Sequence, residues 1–299
     1  MKILVFGSSG FLGNVISNFF AGEHEVVKAD LRRGIDKLDL NVDIIINCIG
    51  KTSDSNDSSF SSYYSANVDT VKQVFDYFLK SNATKFIHFS SIAAIEELSS
   101  NVVLNEESPS NSKSHYGKSK REAEVFLLSQ TVALDKKVII LRPPRIHGPN
   151  DQGTIRQLYD FVKKLPYPFY SFQNSRSFLS IDNLLFLINK IIFSEKIKFG
   201  IYNVSDDEPM STNFIIDTIE TVEDRKIYKL KIPTKVFLAL GSLTERIGIS
   251  KINQIIQKMT SSNVISNTKI KEALGIDKLP LSAEEGLRKT IRSFTKNKS

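Results

Sequence analysis

Seven residues near the start, Gly7-Ser8-Ser9-Gly10-Phe11-Leu12-Gly13, restrict the fold more than any other stretch of the chain. They follow the apolar run Lys2-Ile3-Leu4-Val5-Phe6 without a gap and open an amphipathic segment, so the glycines fall on a strand-to-helix turn. Gly7 permits a tight turn, Gly10 lets the backbone approach a pyrophosphate, and Gly13 lets the helix pack on the strand. The helix N-terminus, Phe11 and Leu12 included, presents N–H groups to an anion. A glycine triplet alone is weak evidence. Asp30 adds to it by ending the next β-rich run 17 residues beyond Gly13, where a carboxylate accepts hydrogen bonds from an adenosine ribose. Together they predict a dinucleotide site. Asp30 favours NAD(H), because a carboxylate repels the extra phosphate of NADP(H), while Arg32 and Arg33 follow within reach of such a phosphate.

The first half alternates short β-rich runs with helical ones. Lys2 to Phe6, Val26 to Ala29, Ile44 to Cys48, Lys85 to Phe89 and Val138 to Leu141 read as buried strands. Parallel strands need crossover connections and are covered on both faces, so this rhythm predicts an α/β, Rossmann-type doubly wound parallel sheet. After Arg142-Pro143-Pro144 the rhythm gives way to polar and aromatic segments such as Leu165-Pro166-Tyr167-Pro168-Phe169-Tyr170, with helices expected at Asn183 to Phe193 and Lys235 to Ile247. The expected division is a dinucleotide-binding domain over residues 1–145 and a smaller, mainly substrate-binding C-terminal lobe over 146–299. Segments near 176–204, including Ile201-Tyr202-Asn203-Val204, are candidates to return to the sheet.

With 41% apolar and 24% charged residues in 299, the chain buries a large core, which excludes disorder, collagen and coiled coil. Cys48 is the only cysteine, so no intrachain disulfide or cysteine-held zinc is expected, and a reducing cytosol fits best. No run is long and apolar enough for a membrane span or a signal peptide. The positive charge lies in the tail: from Arg225 onward there are 16 basic against 5 acidic residues. A solvated basic face explains this better than nucleic-acid binding, because no recognised module or set of stacking aromatics accompanies it.

Tyr116 and Lys120 are four apart, which places them on one face of a helix. A phenol of pKa near 10 is a poor base at neutral pH, and lowering it by ~3 units takes ~4 kcal/mol of preferential anion stabilisation. An adjacent ammonium supplies part of that. Ser90 and Ser91 end the fourth expected strand, at the carboxyl edge where open parallel sheets place their ligands. A serine there donates to a substrate oxygen as charge develops on it. Read singly, the tyrosine and lysine are a surface pair and the serine a strand-end cap.

In this order the residues resemble the extended short-chain dehydrogenase/reductase family, the NAD-dependent epimerase/dehydratase group acting on sugar nucleotides. The resemblance spans nearly the whole chain: the glycine motif with Asp30, Ser91, the Tyr116/Lys120 pair, Leu141 to Pro149, Arg176 to Asn183, and Tyr202-Asn203-Val204. It implies Tyr116 as acid/base, Lys120 as ligand of the nicotinamide ribose, Ser91 as the group polarising the substrate oxygen, and Pro143 beside the nicotinamide. Arg176 resembles the arginine that grips the substrate diphosphate, with a salt bridge to Asp182 as the competing explanation. Arg145 stands near a substrate-contacting asparagine of the family and His147 where a tyrosine is frequent. Asn67 matches a family asparagine and reads as structural. The segment between Asp30 and Ile44 is short, which weakens an adenine contact by Asp39-Leu40. No second phosphate arginine is matched, although Arg246, Lys251 and Lys258 lie in the basic tail. A homodimer is expected through a four-helix interface of the helices at Asn67 to Lys80 and Tyr116 to Gln130.

Ile92 and Ala93 stand where the family's 4,6-dehydratases carry an Asp-Glu pair, and neither transfers protons, so sugar dehydration is not expected. Resemblance to short members of polysaccharide pathways favours hydride transfer at C4 of a UDP-type 4-keto-6-deoxy sugar. A UDP-sugar 4-epimerase is the alternative. A non-catalytic dinucleotide-binding regulator is a distant third.

Overall fold

The computed structural model describes residues 1–52, 59–97, 99–164, 170, 172–231, 233, 236, 239 and 260–296. All but Val236 and Ala239 of the expected helix from Lys235 to Ile247, most of Leu165 to Tyr170, and Arg246, Lys251 and Lys258 lie outside the described residues.

Six parallel strands form the central sheet: β1 (Lys2–Phe6), β2 (Glu25–Ala29), β3 (Ile44–Asn47), β4 (Lys85–Phe89), β5 (Lys137–Arg142) and β8 (Gly200–Asn203), in the order β2-β1-β3-β4-β5-β8. Their β-branched and aromatic residues suit a sheet covered twice, because successive side chains enter opposite cores. Ile3, Val5, Ile44, Ile46, Ile87 and Phe89 pack on one face with α1 (Phe11–Phe20) and α6 (Ile181–Phe193). Leu4, Phe6, Ile45 and Phe86 pack on the other, where α3 (Thr70–Lys80) contributes Val71, Val74, Phe75 and Phe78, and α4 (His115–Leu128) contributes Ala123 and Leu127. Truncating one of these rings, as in Phe75→Ala, costs about 3–5 kcal/mol.

Strand order reverses at β1, which has β2 on one side and β3 on the other. The crevice beyond the carboxyl ends of β1 and β3 is therefore the place where this architecture takes a ligand. The expected helix beginning at Asn67 is longer and interrupted. It starts as α2 (Phe60–Tyr64), passes through a π-helical turn at Ser65–Asp69, and only then becomes α3. Such π turns recur at functional sites, and this one carries the buried Asn67.

Outside the central sheet, β6 (Arg145–His147) and β7 (Phe178–Ser180) pair in parallel beside α5 (Thr154–Lys164), α7 (Thr212–Glu223) and α9 (Ala283–Lys296), whereas α8 (Thr268–Leu274) packs Ile270 into the sheet core. The lobe around β6 and β7 has its own core, which joins Ile155, Tyr159 and Val162 to Ile215, Ile219, Leu287, Ile291 and Phe294. Among the described residues no helix is long and apolar enough to cross a membrane.

Candidate active site

The glycine turn has the geometry its spacing predicts. Gly7 has φ +78°, and a side chain on Gly13 would lie 2.3 Å from the Gly7 carbonyl oxygen, so both positions exclude any larger residue. Gly10 caps α1 from an exposed position, and a side chain there would meet nothing closer than 3.4 Å. Phe11 is exposed as well, while Leu12 tucks against the core. The open helix start, with no side-chain cap, suits a pyrophosphate.

Asp30 sits at the end of β2, as the ribose contact requires, and its carboxylate is engaged within the chain. Both oxygens accept from the Arg32 guanidinium at 3.0 Å, and one also accepts from the Arg32 amide. These hydrogen bonds from Arg32, side chain before backbone, hold the carboxyl below its usual range. The Arg32 side chain is itself exposed, so the pair lies at the surface.

Three elements converge on the catalytic candidates. Ser91 follows β4 and is held by ladder bonds on either side, Ser90 N–H to the Leu141 carbonyl at 2.8 Å and Ile92 N–H to the Pro143 carbonyl at 3.0 Å. Its hydroxyl oxygen accepts from the Ala93 amide at 3.2 Å. No described residue takes its proton, which is therefore available to a substrate oxygen. Pro143 is buried directly beyond β5.

Ser114 caps the helix that carries the other two, accepting from the Gly117 amide at 3.0 Å. The first turn of α4 lies so close to the turn after Ser91 that a side chain on Gly117 would come within 2.3 Å of the Ala93 carbonyl. Half-buried Tyr116 packs edge-on against the Tyr63 ring, centroids 6.2 Å apart. One turn later the Lys120 ammonium is buried and donates to the Phe89 carbonyl at 2.9 Å. Burial pushes its pKa down to about 8, with Cys48 and Glu124 opposing, so it remains a cation at neutral pH. Burial, with the Lys120 charge as second cause, holds His88 well below the imidazole range, so it is neutral beneath that ammonium.

Asn67 braces this arrangement. Its amide oxygen accepts from the Lys51 amide at 2.7 Å, and its amide nitrogen donates to the Lys51 carbonyl and to the Ser119 hydroxyl at 3.2 and 2.8 Å. The pattern fits the structural reading of this asparagine. Gly50 was not singled out from the sequence, yet a side chain there would lie 2.8 Å from the Lys120 ammonium and 3.2 Å from the Asn67 oxygen. Its only sequence signal is a glycine just past the third strand.

On the lobe side, Arg145 opens β6 and pairs in register with Phe178, so Arg176, two residues earlier, projects to the same face. The salt bridge weighed for Arg176 does not form: Asp182 pairs with Lys289 across α9, and no described carboxylate lies within ion-pair distance of Arg176. The buried Arg176 side chain donates instead to the Ser261 carbonyl at 2.8 Å and to the Ser261 hydroxyl. Burial, and then Arg145, lower its pKa to about 9, and it keeps its charge at neutral pH. Two neighbouring guanidinium groups favour an anion. His147 is wholly buried, with Nδ1 2.9 Å from the Thr290 hydroxyl. Asp39 is held by Lys2 at 2.8 Å.

The chain is 26% identical to UDP-glucose 4-epimerase of Vibrio cholerae, covering 98% of this chain and 95% of that one. It is 21% identical to N-acetyl-alpha-D-glucosaminyl-diphospho-ditrans,octacis-undecaprenol 4-epimerase of Escherichia coli O157:H7, covering 97% and 94%. The fold matches that of UDP-glucuronic acid 4-epimerase from Bacillus cereus, solved in complex with NAD, with a TM-score of 0.77 and 18% identity over 100% of this chain and 98% of that one. Since residues 3–205, from the first strand past the last strand of the sheet, match a single family model, the chain belongs to the NAD dependent epimerase/dehydratase family.

Proposed function

We propose that the protein inverts C4 of a sugar carried on a diphosphate, with Ser91, Tyr116 and Lys120 as its catalytic residues. The observation that carries this reading is the Ser91 hydroxyl, its proton unclaimed by the described residues, set against the helix turn that presents Tyr116 above a buried cationic Lys120. Apolar Ile92 and Ala93 beside it supply no second acid/base pair for dehydration. Both full-length curated relatives are 4-epimerases, which favours epimerisation over a single 4-keto reduction.

The chain's own residues divide the work. Lys120 stabilises the Tyr116 phenolate, which takes the proton of the C4 hydroxyl, and Ser91 holds the C4 oxygen as it becomes a carbonyl. After the sugar presents its other face, negative charge develops again on the C4 oxygen, Ser91 donates a hydrogen bond to that oxygen, and Tyr116 returns the proton to it. When bound, the nicotinamide supplies the hydride acceptor and donor that these side chains lack. Gly7, Gly10 and Gly13 would shape its pyrophosphate site, Asp30 would receive its adenosine ribose and Pro143 would line the nicotinamide site, with NAD(H) preferred. Arg176 and Arg145 grip the substrate diphosphate, for which planar guanidinium forks are well matched. The half-exposed Val125 and Leu128 on α4 and Leu79 on α3 suit the homodimer expected from these helices.

The test is to incubate the purified protein with NAD and either UDP-linked or polyprenyl-diphosphate-linked hexoses, and to follow C4 stereochemistry by NMR. Interconversion of C4 epimers, lost in Tyr116→Phe, is expected. Net consumption of NADH with a 4-keto sugar, without epimer exchange, would replace epimerase by reductase. No C4 chemistry on either carrier would end the proposal.

A further inference from the structure

Behind the catalytic residues lies a carboxylate that no step of the reaction uses. Glu124 is on α4, one turn beyond Lys120 and two beyond Tyr116, and it is completely buried. Its Oε1 accepts from the Ser90 hydroxyl at 2.6 Å and from Arg142 Nε at 2.6 Å. Its Oε2 accepts from Arg142 Nη2 at 2.6 Å and from Arg121 Nη1 at 3.1 Å. Four donors fill the acceptor sites of an ionised carboxylate, so Glu124 has no lone pair left for substrate or proton transfer. What it has is reach: its donors come from three different elements.

Ser90 is the residue before Ser91 at the end of β4. Arg142 is the last residue of β5 and precedes Pro143. Glu124 itself belongs to the helix of Tyr116 and Lys120. Arg142 is also tied outward, donating from Nη1 to the Glu106 carbonyl at 3.3 Å, and the Glu106 side chain accepts from the Asn203 amide at the end of β8. A buried charged pair is a poor source of stability, because desolvation offsets most of its attraction. A fully bonded one does fix the relative position of the parts that contribute to it.

We propose that Glu124, through Ser90 and Arg142, is a positioning residue that sets the distance between the Ser91 hydroxyl and the Tyr116 phenol. This inference rests on Ser91, Tyr116 and Lys120 being the catalytic set. The carboxylate pins α4 to the ends of β4 and β5 at the level where Ser91 leaves the sheet. Without it the helix and the strand end are joined by the Lys120 bond to the Phe89 carbonyl and by packing at the turn after Ser91, neither of which reaches β5. Sub-ångström drift of a proton donor and acceptor is costly to turnover, while binding of the remote parts of a substrate is indifferent to it.

The experiment compares Ser90→Ala, the paired variant Glu124→Leu with Arg142→Met, and Tyr116→Phe, each in the full chain with NAD bound. Ser90→Ala removes one link and leaves the charged pair intact; the paired variant removes both buried charges together and so avoids stranding either one. The expected result is a kcat lowered on the order of tenfold or more in both positioning variants, with KM for the sugar diphosphate and the amount of bound NAD unchanged. Wild-type kcat in Ser90→Ala, or in folded paired variant, overturns the inference and leaves Glu124 a structural residue only. A loss confined to KM overturns it as well. If the paired variant does not fold, Ser90→Ala decides alone. Retained turnover in Tyr116→Phe would strike the catalytic reading itself and remove the ground of this inference, an outcome distinct from failure of the positioning variants alone.

Discussion

The Lys120 ammonium lies 2.9 Å from the Phe89 carbonyl oxygen, at the carboxyl end of the strand that leads to Ser91. A buried cation held by one neutral acceptor is costly to the folded protein. Burial shifts its pKa from 10.5 to about 8, equivalent to roughly 3 kcal/mol. From about pH 8 to about pH 10.5 the unfolded chain holds a proton on Lys120 that the folded protein has released, so stability rises with pH in that window. Below about pH 8 both states hold it and the whole penalty is present. Lys120→Met is therefore expected to stabilise the cofactor-free protein at pH 7 by about 2 kcal/mol, after about 1 kcal/mol for the lost hydrogen bond, and to abolish turnover. Denaturant unfolding at pH 7 and pH 10 checks this. A variant less stable than wild type at pH 7, or an advantage that persists undiminished at pH 10, would contradict it.

Gly50 tests the same ammonium from the other side. A methyl group there would stand 2.8 Å from Nζ, the far end of a flexible side chain, so the fold adjusts at small cost while the lysine head is displaced. Gly50→Ala is expected to lower kcat on the order of a hundredfold with little change in unfolding midpoint. Parallel measurement of thermal unfolding and turnover separates the two effects. Normal turnover would mean that the position of Lys120 is not critical.

The elements legible in the sequence are those whose residues report locally. Runs such as Ile44-Ile45-Ile46 read as buried strands because alternate side chains need an apolar core on each face, and the structure supplies both. Gly7 and Gly13 were legible because a turn and a close approach are demanded within a few residues. The Ser90, Glu124 and Arg142 cluster was not, because parallel register brings together residues that carry no mutual signal along the chain. Asp182 shows the converse: it is near Arg176 in sequence, but Lys289 on α9 reaches it instead. The π turn at Asn67 was hidden for a similar reason, since the partners of Asn67 there, Lys51 and Ser119, are distant from it along the chain.

The Asp30 and Arg32 pair tests the proposed cofactor choice. Arg32 bonds both oxygens of the carboxylate that the proposed ribose contact would use, and its guanidinium is a cation a 2′-phosphate could meet there. Arg32→Ala is expected to tighten NADH several-fold and weaken NADPH, moving the preference in one direction through both terms. Fluorescence titration with each nucleotide measures it. Unchanged affinities for both would remove Arg32 from the cofactor site.

Arg176 is buried beside a second guanidinium and lacks a carboxylate among the described residues, so an anion relieves the repulsion with Arg145. A group that contacts the diphosphate in ground and transition states alike contributes to KM rather than kcat. Arg176→Ala is expected to raise KM for the sugar diphosphate at least tenfold and leave kcat nearly unchanged. It should also reduce the stabilisation that UDP gives in thermal unfolding. Full protection by UDP in the variant would show that the diphosphate binds elsewhere.

His147 separates packing from chemistry in the lobe. Its ring is wholly buried, lies edge-on to Phe178 at 6.1 Å between centroids, and links β6 to α9 through Nδ1 and Thr290. Nε2 is 3.7 Å from Asp206 Oδ2, beyond hydrogen-bond distance, and Asp206 already accepts from the Ser180 amide and from Asn183. Phe retains most of the ring packing, and Thr290 still donates to the Gly286 carbonyl. His147→Phe is therefore expected to cost about 1–2 kcal/mol of stability, from one buried hydrogen bond and slight overpacking, with kcat unchanged in the folded protein. Urea unfolding paired with steady-state kinetics reads both quantities. Lost turnover at wild-type stability would move His147 from holding α9 in place to the reaction itself.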